Sequence, residues 1–227
     1  MPEPLTRIFV SLKHHFGELH WWPADHPFEV AVGAILTQNT AWTNVEQAIA
    51  NLKAARAMSP AAMLTLERSD LEALIRPAGF FRQKTDYLRR FSSFLVDHCD
   101  GSMTKLCQGT LDTARRRLLA LKGIGPETAD SILLYAGDRP SFVVDAYTRR
   151  VFARLGLLLG NESYASIRAM FMATLPAETA IYNEYHALIV QLAKTLCRKN
   201  QPLCNRCPLL SDCAFGQRRG QRPALSL

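Results

Sequence analysis

The stretch LKGIGPETA, at residues 121–129, decides the fold because it joins two amphipathic segments through Gly123-Ile124-Gly125. Two glycines that flank one apolar residue permit a tight turn with uncovered backbone amides, while the isoleucine anchors the turn in a core. Pro126 begins the second helix at a position where its missing N–H costs nothing. The stretch therefore predicts two helices joined by a turn whose amides suit a phosphate oxygen, with an ordinary helix–turn–helix corner as the alternative.

Apolar side chains recur at helical spacing on both sides of this turn. Residues 87–98, 111–121 and 185–196 each carry an apolar stripe that repeats every three or four positions. The one strand-like run, Phe142–Val144, is too short to build a sheet. We therefore predict an all-α protein, with further helices near residues 4–15, 27–38, 42–54, 59–65, 69–76, 126–136, 146–156, 163–173 and 177–196.

Length and composition restrict the class of protein further. The chain has 227 residues, of which 48% are apolar, and this is enough for one or two domains with cores of their own. No run approaches the ~18 to 20 apolar residues of a membrane span, and the start does not resemble a secretory leader, so we expect a soluble cytosolic protein. Lysine and arginine outnumber the acidic residues 27 to 20, which favours a polyanionic partner without identifying it.

Four of the six cysteines fall within 17 residues near the end of the chain: Cys197, Cys204, Cys207 and Cys213. In a reducing cytosol such a group indicates metal binding, and four thiolates can hold tetrahedral zinc or a [4Fe–4S] cluster. Zinc ribbons usually present two Cys-x2-Cys pairs, whereas this spacing has one, so the cluster is favoured. Cys99 and Cys107 lie on helical stretches and are predicted to be free thiols without a metal role.

Asp145 follows the apolar run Phe142–Val144 and precedes a predicted helix. An acidic residue at such a position commonly caps the helix by accepting hydrogen bonds from its first amides. A carboxylate held ionised beside a phosphate-binding turn can also stabilise positive charge that develops on a sugar. Because the two roles are compatible, Asp145 is the candidate catalytic residue.

The hairpin, the acidic residue after it and the cysteine loop, in this order and spacing, resemble the endonuclease III superfamily of DNA glycosylases. The similarity extends upstream through Leu36–Thr40 and Pro77–Lys84, so it covers most of the chain. It implies a two-domain fold with the lesion pocket in the cleft between the domains. One is a six-helix barrel at residues 25–140 that includes the helix-hairpin-helix, and the other is a helical iron–sulfur domain at residues 1–24 plus 141–227.

The resemblance also implies roles for single residues. Asp145 looks like the catalytic aspartate of the family, and the four clustered cysteines look like its [4Fe–4S] ligands. Gln38 lies in a loop that the family uses as a wedge, where it would fill the hole left by a flipped-out base. Arg149 and Lys194 are candidate phosphate contacts beside the hairpin amides, where a monovalent cation is a further expected ligand. The implied partner is double-stranded DNA with a damaged base, bound by a monomer in the bacterial cytosol or nucleoid.

One position departs from the pattern of the bifunctional members. They carry a lysine in the helix after the hairpin, and its amine attacks the sugar and forms a Schiff base. This chain has Glu127 there, which cannot form an imine and is favoured by the helix dipole in a first turn. The sequence therefore predicts a monofunctional glycosylase without lyase activity.

A second resemblance concerns the substrate. Trp22, Pro23 and Trp42 occupy places where the 3-methyladenine DNA glycosylase branch of the superfamily stacks the flipped base between aromatic side chains. Aromatic faces suit a cationic alkylated purine through stacking and cation–π attraction. Core or interdomain packing is the alternative role, especially for Trp21. We therefore expect an alkylated purine such as 3-methyladenine as the substrate.

Two rival functions stay open at this point. A glycosylase with lyase activity for oxidised pyrimidines, or one for mispaired bases, would need different groups in the pocket. A non-catalytic iron–sulfur protein that binds DNA would keep the hairpin and the cysteines, and the presence of Asp145 argues against it.

Overall fold

The computed structural model describes residues 3–19, 21–22 and 24–220. These residues form helices, short 3-10 turns and one π-helical turn and contain no β-strand, which confirms the all-α class. The helices are α1 (Pro4–Phe16), α2 (Pro27–Leu36), α3 (Trp42–Ala54), α4 (Pro60–Thr65), α5 (Arg68–Ile75), α6 (Phe81–Cys99), α7 (Met103–Leu106), α8 (Leu111–Leu119), α9 (Pro126–Ser131), α10 (Ala146–Leu155), α11 (Tyr164–Thr174), α12 (Thr179–Thr195) and α13 (Ala214–Gly220).

Most of these helices end within two residues of the predicted bounds, and the differences have local causes. The helix predicted over 126–136 is divided, because α9 gives way to a π-helical turn at Ile132–Ala136. Such turns are frequent at functional sites. The short helices α7 and α13 were not predicted, since so few residues show no clear period.

The chain forms two compact units. One comprises Trp22–Ser141, with helices α2 to α9, and the other comprises Met1–Trp21 together with Phe142–Leu227. The sequence predicts these units at residues 25–140 and at residues 1–24 plus 141–227. Among the described residues, no helix is long and apolar enough to cross a membrane.

The unit at Trp22–Ser141 has a core of aliphatic side chains from nearly all its helices. The short helices α4 and α5 pack on the long helix α6, and the α2 helix packs on the π-helical turn. Nine of the ten α2 residues are buried, so this helix lies at the centre of the unit. The surrounding helices therefore fix where α2 ends, and the loop that follows α2 carries Gln38.

The other unit has an aromatic core. The rings of Phe142 and Phe171 stack with centroids 4.0 Å apart, and Tyr182 and Tyr185 meet Phe142 edge-on. Tyr185 also donates a hydrogen bond to the carbonyl of Leu5, which joins α12 to α1. The extended run that begins at Phe142 is thus buried core, and it fixes the start of α10 and the position of the aspartate that precedes it.

Candidate active site

The predicted hairpin is present between α8 and α9. Gly123 has a φ of 99°, and a Cβ there would lie 2.2 Å from the ring of Tyr87, so no larger residue fits. Ile124 is 5% exposed and belongs to the core, as the sequence predicts. Gly125 precedes α9, and the space where its Cβ would lie is open. The turn therefore leaves room on the side of Gly125 for a ligand to approach the first amides of α9.

Gln38 lies in the loop after α2, and its side chain contacts the hairpin. Its Nε2 donates to the carbonyl of Gly123 at 2.9 Å and to the hydroxyl of Thr128 at 3.0 Å. The side chain thus ties the loop to both ends of the turn. To act as a free wedge it would have to break these two bonds. The hairpin carbonyl already accepts this amide, and nothing in the described residues supports the expected monovalent cation.

Trp22 and Trp42 lie together in an aromatic group with Tyr135. The two indole rings meet edge to face, with centroids 5.0 Å apart and planes at 88°, and Tyr135 lies 5.3 Å from Trp22. A Cβ on Gly33 would come within 3.1 Å of Trp22, so the glycine of α2 makes room for the ring. The perpendicular rings do not form the two parallel walls of a sandwich. Pro23 lies outside the described residues.

Tyr135 was missed by sequence reasoning although it belongs to this group. It lies on the π-helical turn, where the wider backbone coil changes the direction of side chains relative to a regular helix. A periodicity argument that assumes an uninterrupted helix over 126–136 therefore cannot place its ring.

Asp145 caps α10 in the other unit, as the sequence predicts. Its Oδ1 accepts hydrogen bonds from the amide of Thr148 at 2.7 Å and from the Thr148 hydroxyl at 2.9 Å. Its Oδ2 lies 3.5 Å from Nε2 of His186 on α12. Both carboxylate oxygens are therefore oriented, and the side chain retains 13% of its surface exposed.

The surroundings keep Asp145 ionised. Burial alone would raise its pKa, but the hydrogen bond and charge of His186 and the two bonds from Thr148 together lower the pKa below its ordinary value. His186 was not identified from the sequence, because a lone histidine in the apolar stripe of α12 looks like a core residue. Its only signal is that it interrupts the stripe with a polar group.

Phe80 lies within the stretch Pro77–Lys84, to which the sequence alone assigned no individual roles. It precedes α6 with a φ of 46°, in the left-handed region, and its surface is 63% exposed. Both properties are unusual for a large apolar residue, and backbone strain of this kind collects at functional sites. Phe80 is therefore an exposed aromatic side chain held at the tip of a turn.

The four clustered cysteines line one small pocket with apolar neighbours that include Leu196, Leu210 and Phe215. Burial, with smaller contributions from the three other cysteines of the group, raises the pKa of the Cys207 thiol to about 11. The amide of Gly216 donates to Cys213 Sγ at 3.3 Å. Among the described residues, no three cysteine, histidine or acidic groups meet as closely as one metal ion requires.

Arg154 holds the start of this cysteine loop. Its guanidinium donates to the carbonyl and to Sγ of Cys197, both at 3.3 Å, and to the carbonyls of Arg198 and Lys199. It also lies over the ring of Phe215, at 4.7 Å from the centroid. The loop is therefore fixed to α10, the helix that Asp145 caps.

The remaining predicted site residues lie at or near the surface of their own units. Arg149 is half-buried and donates to the carbonyl of Glu162, while Lys194 is exposed and lies over the ring of Trp21. Glu127 is exposed in the first turn of α9. Outside the cysteine loop, Cys99 and Cys107 are buried free thiols, and burial raises the pKa of Cys107 to about 11.

Comparisons with known proteins agree with this arrangement. A family model described as "HhH-GPD superfamily base excision DNA repair protein" matches residues 32–177, a range that includes the hairpin and Asp145. A curated protein of Methanocaldococcus jannaschii named "Putative DNA repair glycosylase" is 46% identical over 213 residues, 93% of this chain and 96% of the relative. Endonuclease III of Thermotoga maritima is 27% identical, over 88% of this chain and 90% of the relative.

Solved structures show the same fold. An endonuclease III in a non-covalent complex with DNA superposes with a TM-score of 0.83 at 23% identity, over 96% of this chain and 97% of that one. The H. pylori 3-methyladenine DNA glycosylase bound to 1,N6-ethenoadenine superposes with a TM-score of 0.71 at 28% identity, over 84% of this chain and 97% of that one.

Proposed function

The chain belongs to the HhH-GPD superfamily of base excision DNA repair proteins as a DNA glycosylase, and from this premise we propose that it releases alkylated purines by hydrolysis alone. The observation that carries the proposal is the aromatic group of Trp22, Trp42 and Tyr135. A cationic purine gains more from an aromatic face than a neutral base does. The similarity to a 3-methyladenine DNA glycosylase structure at 28% identity supports the same substrate class.

The base stacks on an indole face in this proposal. Since the two indoles meet edge to face, an incoming base has two routes: it stacks on one ring, or it displaces one ring to form a sandwich. In the first route one indole stacks on the base and the other supports that indole edge-on, and in the second route both indoles contact the base. Tyr135 supports Trp22 from the side, as their tilted contact indicates.

Trp22→Ala and Trp42→Ala should each lower the release of 3-methyladenine from methylated DNA by roughly tenfold or more, because base–aromatic stacking is worth ~1 to 3 kcal/mol. Free base released at subsaturating enzyme measures this effect. Trp22→Phe is the matched control, since it keeps an aromatic face and should retain most of the activity. Equal loss in the phenylalanine and alanine variants would contradict the stacking role.

In this mechanism Asp145 stabilises the positive charge that develops on the sugar as the bond to the base breaks. An alkylated purine is already cationic, so it leaves without a strong general acid. His186 and Thr148 keep the carboxylate ionised and oriented for this task. Water is the final nucleophile, and the products are the free base and an intact abasic site.

The hairpin and two loops of the unit at Trp22–Ser141 bind the DNA in our proposal. The first amides of α9 grip a phosphate beside Gly125, with Arg149 and Lys194 of the other unit as further phosphate contacts. Gln38 and Phe80 are the side chains that insert into the base stack where the damaged base has left it. An exposed apolar ring is a wedge that many proteins insert between base steps, so Phe80 shares the role first expected of Gln38.

We also propose that the clustered cysteines hold a [4Fe–4S] cluster. The four thiols line one apolar pocket, and N–H groups of Arg154 and Gly216 donate to two of the sulfurs, as N–H groups do in protein-bound clusters, where they tune the reduction potential. Cys197, Cys204, Cys207 and Cys213 would hold the cluster, which would cross-link a loop that has little regular structure of its own.

Protein purified without oxygen should be brown and contain about four irons per chain. Cys204→Ser should lower the iron content and the melting temperature together, because it removes one ligand. Cys99→Ala serves as the control, since it removes a buried thiol outside the loop and should keep the iron. Stoichiometric zinc without iron would exclude the cluster.

The second candidate function is an endonuclease III-like glycosylase and lyase for oxidised pyrimidines. The identity of 27% to an endonuclease III over most of both chains favours it. A panel of duplexes, each with one defined lesion, separates the two candidates by the base released. Release of thymine glycol or dihydrouracil without release of 3-methyladenine would establish the second candidate. The panel also tests double-stranded DNA as the partner, which we propose is bound by a monomer.

A further inference from the structure

Lys84, in the first turn of α6, is a charged residue that neither the hairpin nor Asp145 explains. It is 2% exposed, and its Nζ donates two hydrogen bonds of 2.8 Å to the backbone carbonyls of Leu36 and Ala78. Burial lowers the pKa of its ammonium group to about 8. A buried charge is costly unless it is well paired, so a lysine at this position indicates a role that an apolar residue could not fill.

The two carbonyls end the segments that lead into the proposed DNA-binding loops. Leu36 is the last residue of α2, and Gln38 follows two residues later. Ala78 ends the 3-10 turn Arg76–Ala78, and Phe80 follows two residues later. Carbonyls at the ends of helices lack partners within the helix, so an ammonium group can bind both at once.

These bonds join three segments of one unit. The side chain of Gln38 ties the α2 loop to the hairpin through Gly123 and Thr128. Lys84 ties the same loop to the turn that holds Phe80 in its left-handed conformation. Hydrogen bonds and two short backbone segments therefore connect the hairpin turn to the exposed phenylalanine.

We propose that Lys84 is a positioning residue that couples the Gln38 loop to the Phe80 turn, so that both side chains enter the base stack as one rigid unit. This inference rests on the proposed function, because it takes both side chains to be DNA contacts. Lys84 itself does not touch DNA, since it is buried. Its effect is to fix the spacing of the two contacts, and errors of about 1 Å in such placement can cost about 100-fold in rate.

The test uses a duplex with a tetrahydrofuran abasic-site analogue opposite 2-aminopurine, whose fluorescence rises when the base is unstacked. The wild-type protein should raise this fluorescence on binding, and Phe80→Ala should lower the rise. Lys84→Met removes both donors at similar volume and should lower the rise by about the amount that Phe80→Ala does. Lys84→Arg keeps donors and should restore most of it. Lys105→Met, at an exposed lysine paired with Asp100, is the control.

The coupling is measured in the double variant Lys84→Met with Phe80→Ala. It should show no further loss beyond Phe80→Ala alone, because the lysine affects this signal by positioning the phenylalanine. Additive losses, or a normal fluorescence rise in folded Lys84→Met, would overturn the proposal and leave Lys84 with a role in stability only. If Lys84→Met does not fold, Lys84→Gln takes its place in the same comparison.

The fluorescence assay does not depend on base excision. It therefore separates the proposed positioning role of Lys84 from the proposed release of alkylated purines. A wrong substrate assignment leaves the fluorescence results unchanged and is seen only in the lesion panel. If the losses of Lys84→Met and Phe80→Ala are additive in the fluorescence assay, Lys84 has no positioning role, and the glycosylase proposal is unaffected.

Discussion

Asp145→Asn is expected to fold and to bind a duplex with an abasic-site analogue as the wild-type protein does, yet to lose at least about 100-fold of its base-release activity. Asparagine caps a helix nearly as well as aspartate, so the bond from the Thr148 amide is retained. It cannot supply the negative charge that the proposed mechanism requires beside the developing sugar cation, and removing one such electrostatic contact commonly costs about 100- to 1000-fold.

Two measurements separate catalysis from folding in this variant. Single-turnover release of free base gives the chemical step, and fluorescence anisotropy on the abasic duplex gives the affinity. Asp112→Asn is the matched control, because it removes an exposed acidic group from the first turn of α8. Turnover of Asp145→Asn within a few-fold of the wild type would leave Asp145 as a helix cap alone.

The pH profile gives a further check on the same residue. The pKa of Asp145 lies below its ordinary value of 3.8, because His186 and Thr148 outweigh the effect of burial. The carboxylate is therefore ionised throughout the range from pH 5 to pH 8. A loss of activity on acidification within that range would have to come from another group.

The features that could be predicted from the sequence are local ones. The hairpin follows from two glycines and a proline, and the Asp145 cap follows from an acidic residue between an apolar run and a helix. The cysteine spacing likewise lies within one short segment. In each case the residues that determine the conformation are neighbours in the chain.

The features that could not be predicted depend on contacts between distant residues. The Gln38 amide meets a carbonyl 85 residues away, and His186 reaches Asp145 from α12. The spacing of apolar residues along the chain gives no information about such long-range contacts. The perpendicular packing of Trp22 and Trp42 is also invisible in the sequence, since it depends on the space that Gly33 leaves.

Glu127 accounts for the second large expected effect, which concerns covalent chemistry. The wild-type protein should leave intact abasic sites that break only after added alkali, and borohydride should trap no covalent complex. An amine is needed to attack C1′ of the sugar and, with loss of water, form the imine that borohydride reduces to a stable secondary amine. A carboxylate at this position cannot form that bond.

Glu127→Lys should therefore add the ability to form an imine with the sugar, which the wild-type protein lacks. Glu127 is exposed in the first turn of α9, so a lysine fits without disturbing the core, and borohydride should then trap a large fraction of the variant on abasic DNA. Glu127→Gln is the control, because it removes the negative charge without adding an amine and should not be trapped.

Efficient trapping of the wild-type protein would contradict the prediction. If trapping were then lost in Lys122→Ala, the Lys122 amine would be the one responsible. Lys122 is the first residue to test because it is exposed and directly precedes Gly123 of the hairpin. The absence of trapping in Glu127→Lys would show that position 127 does not reach the sugar, and the monofunctional assignment would then lose its physical basis.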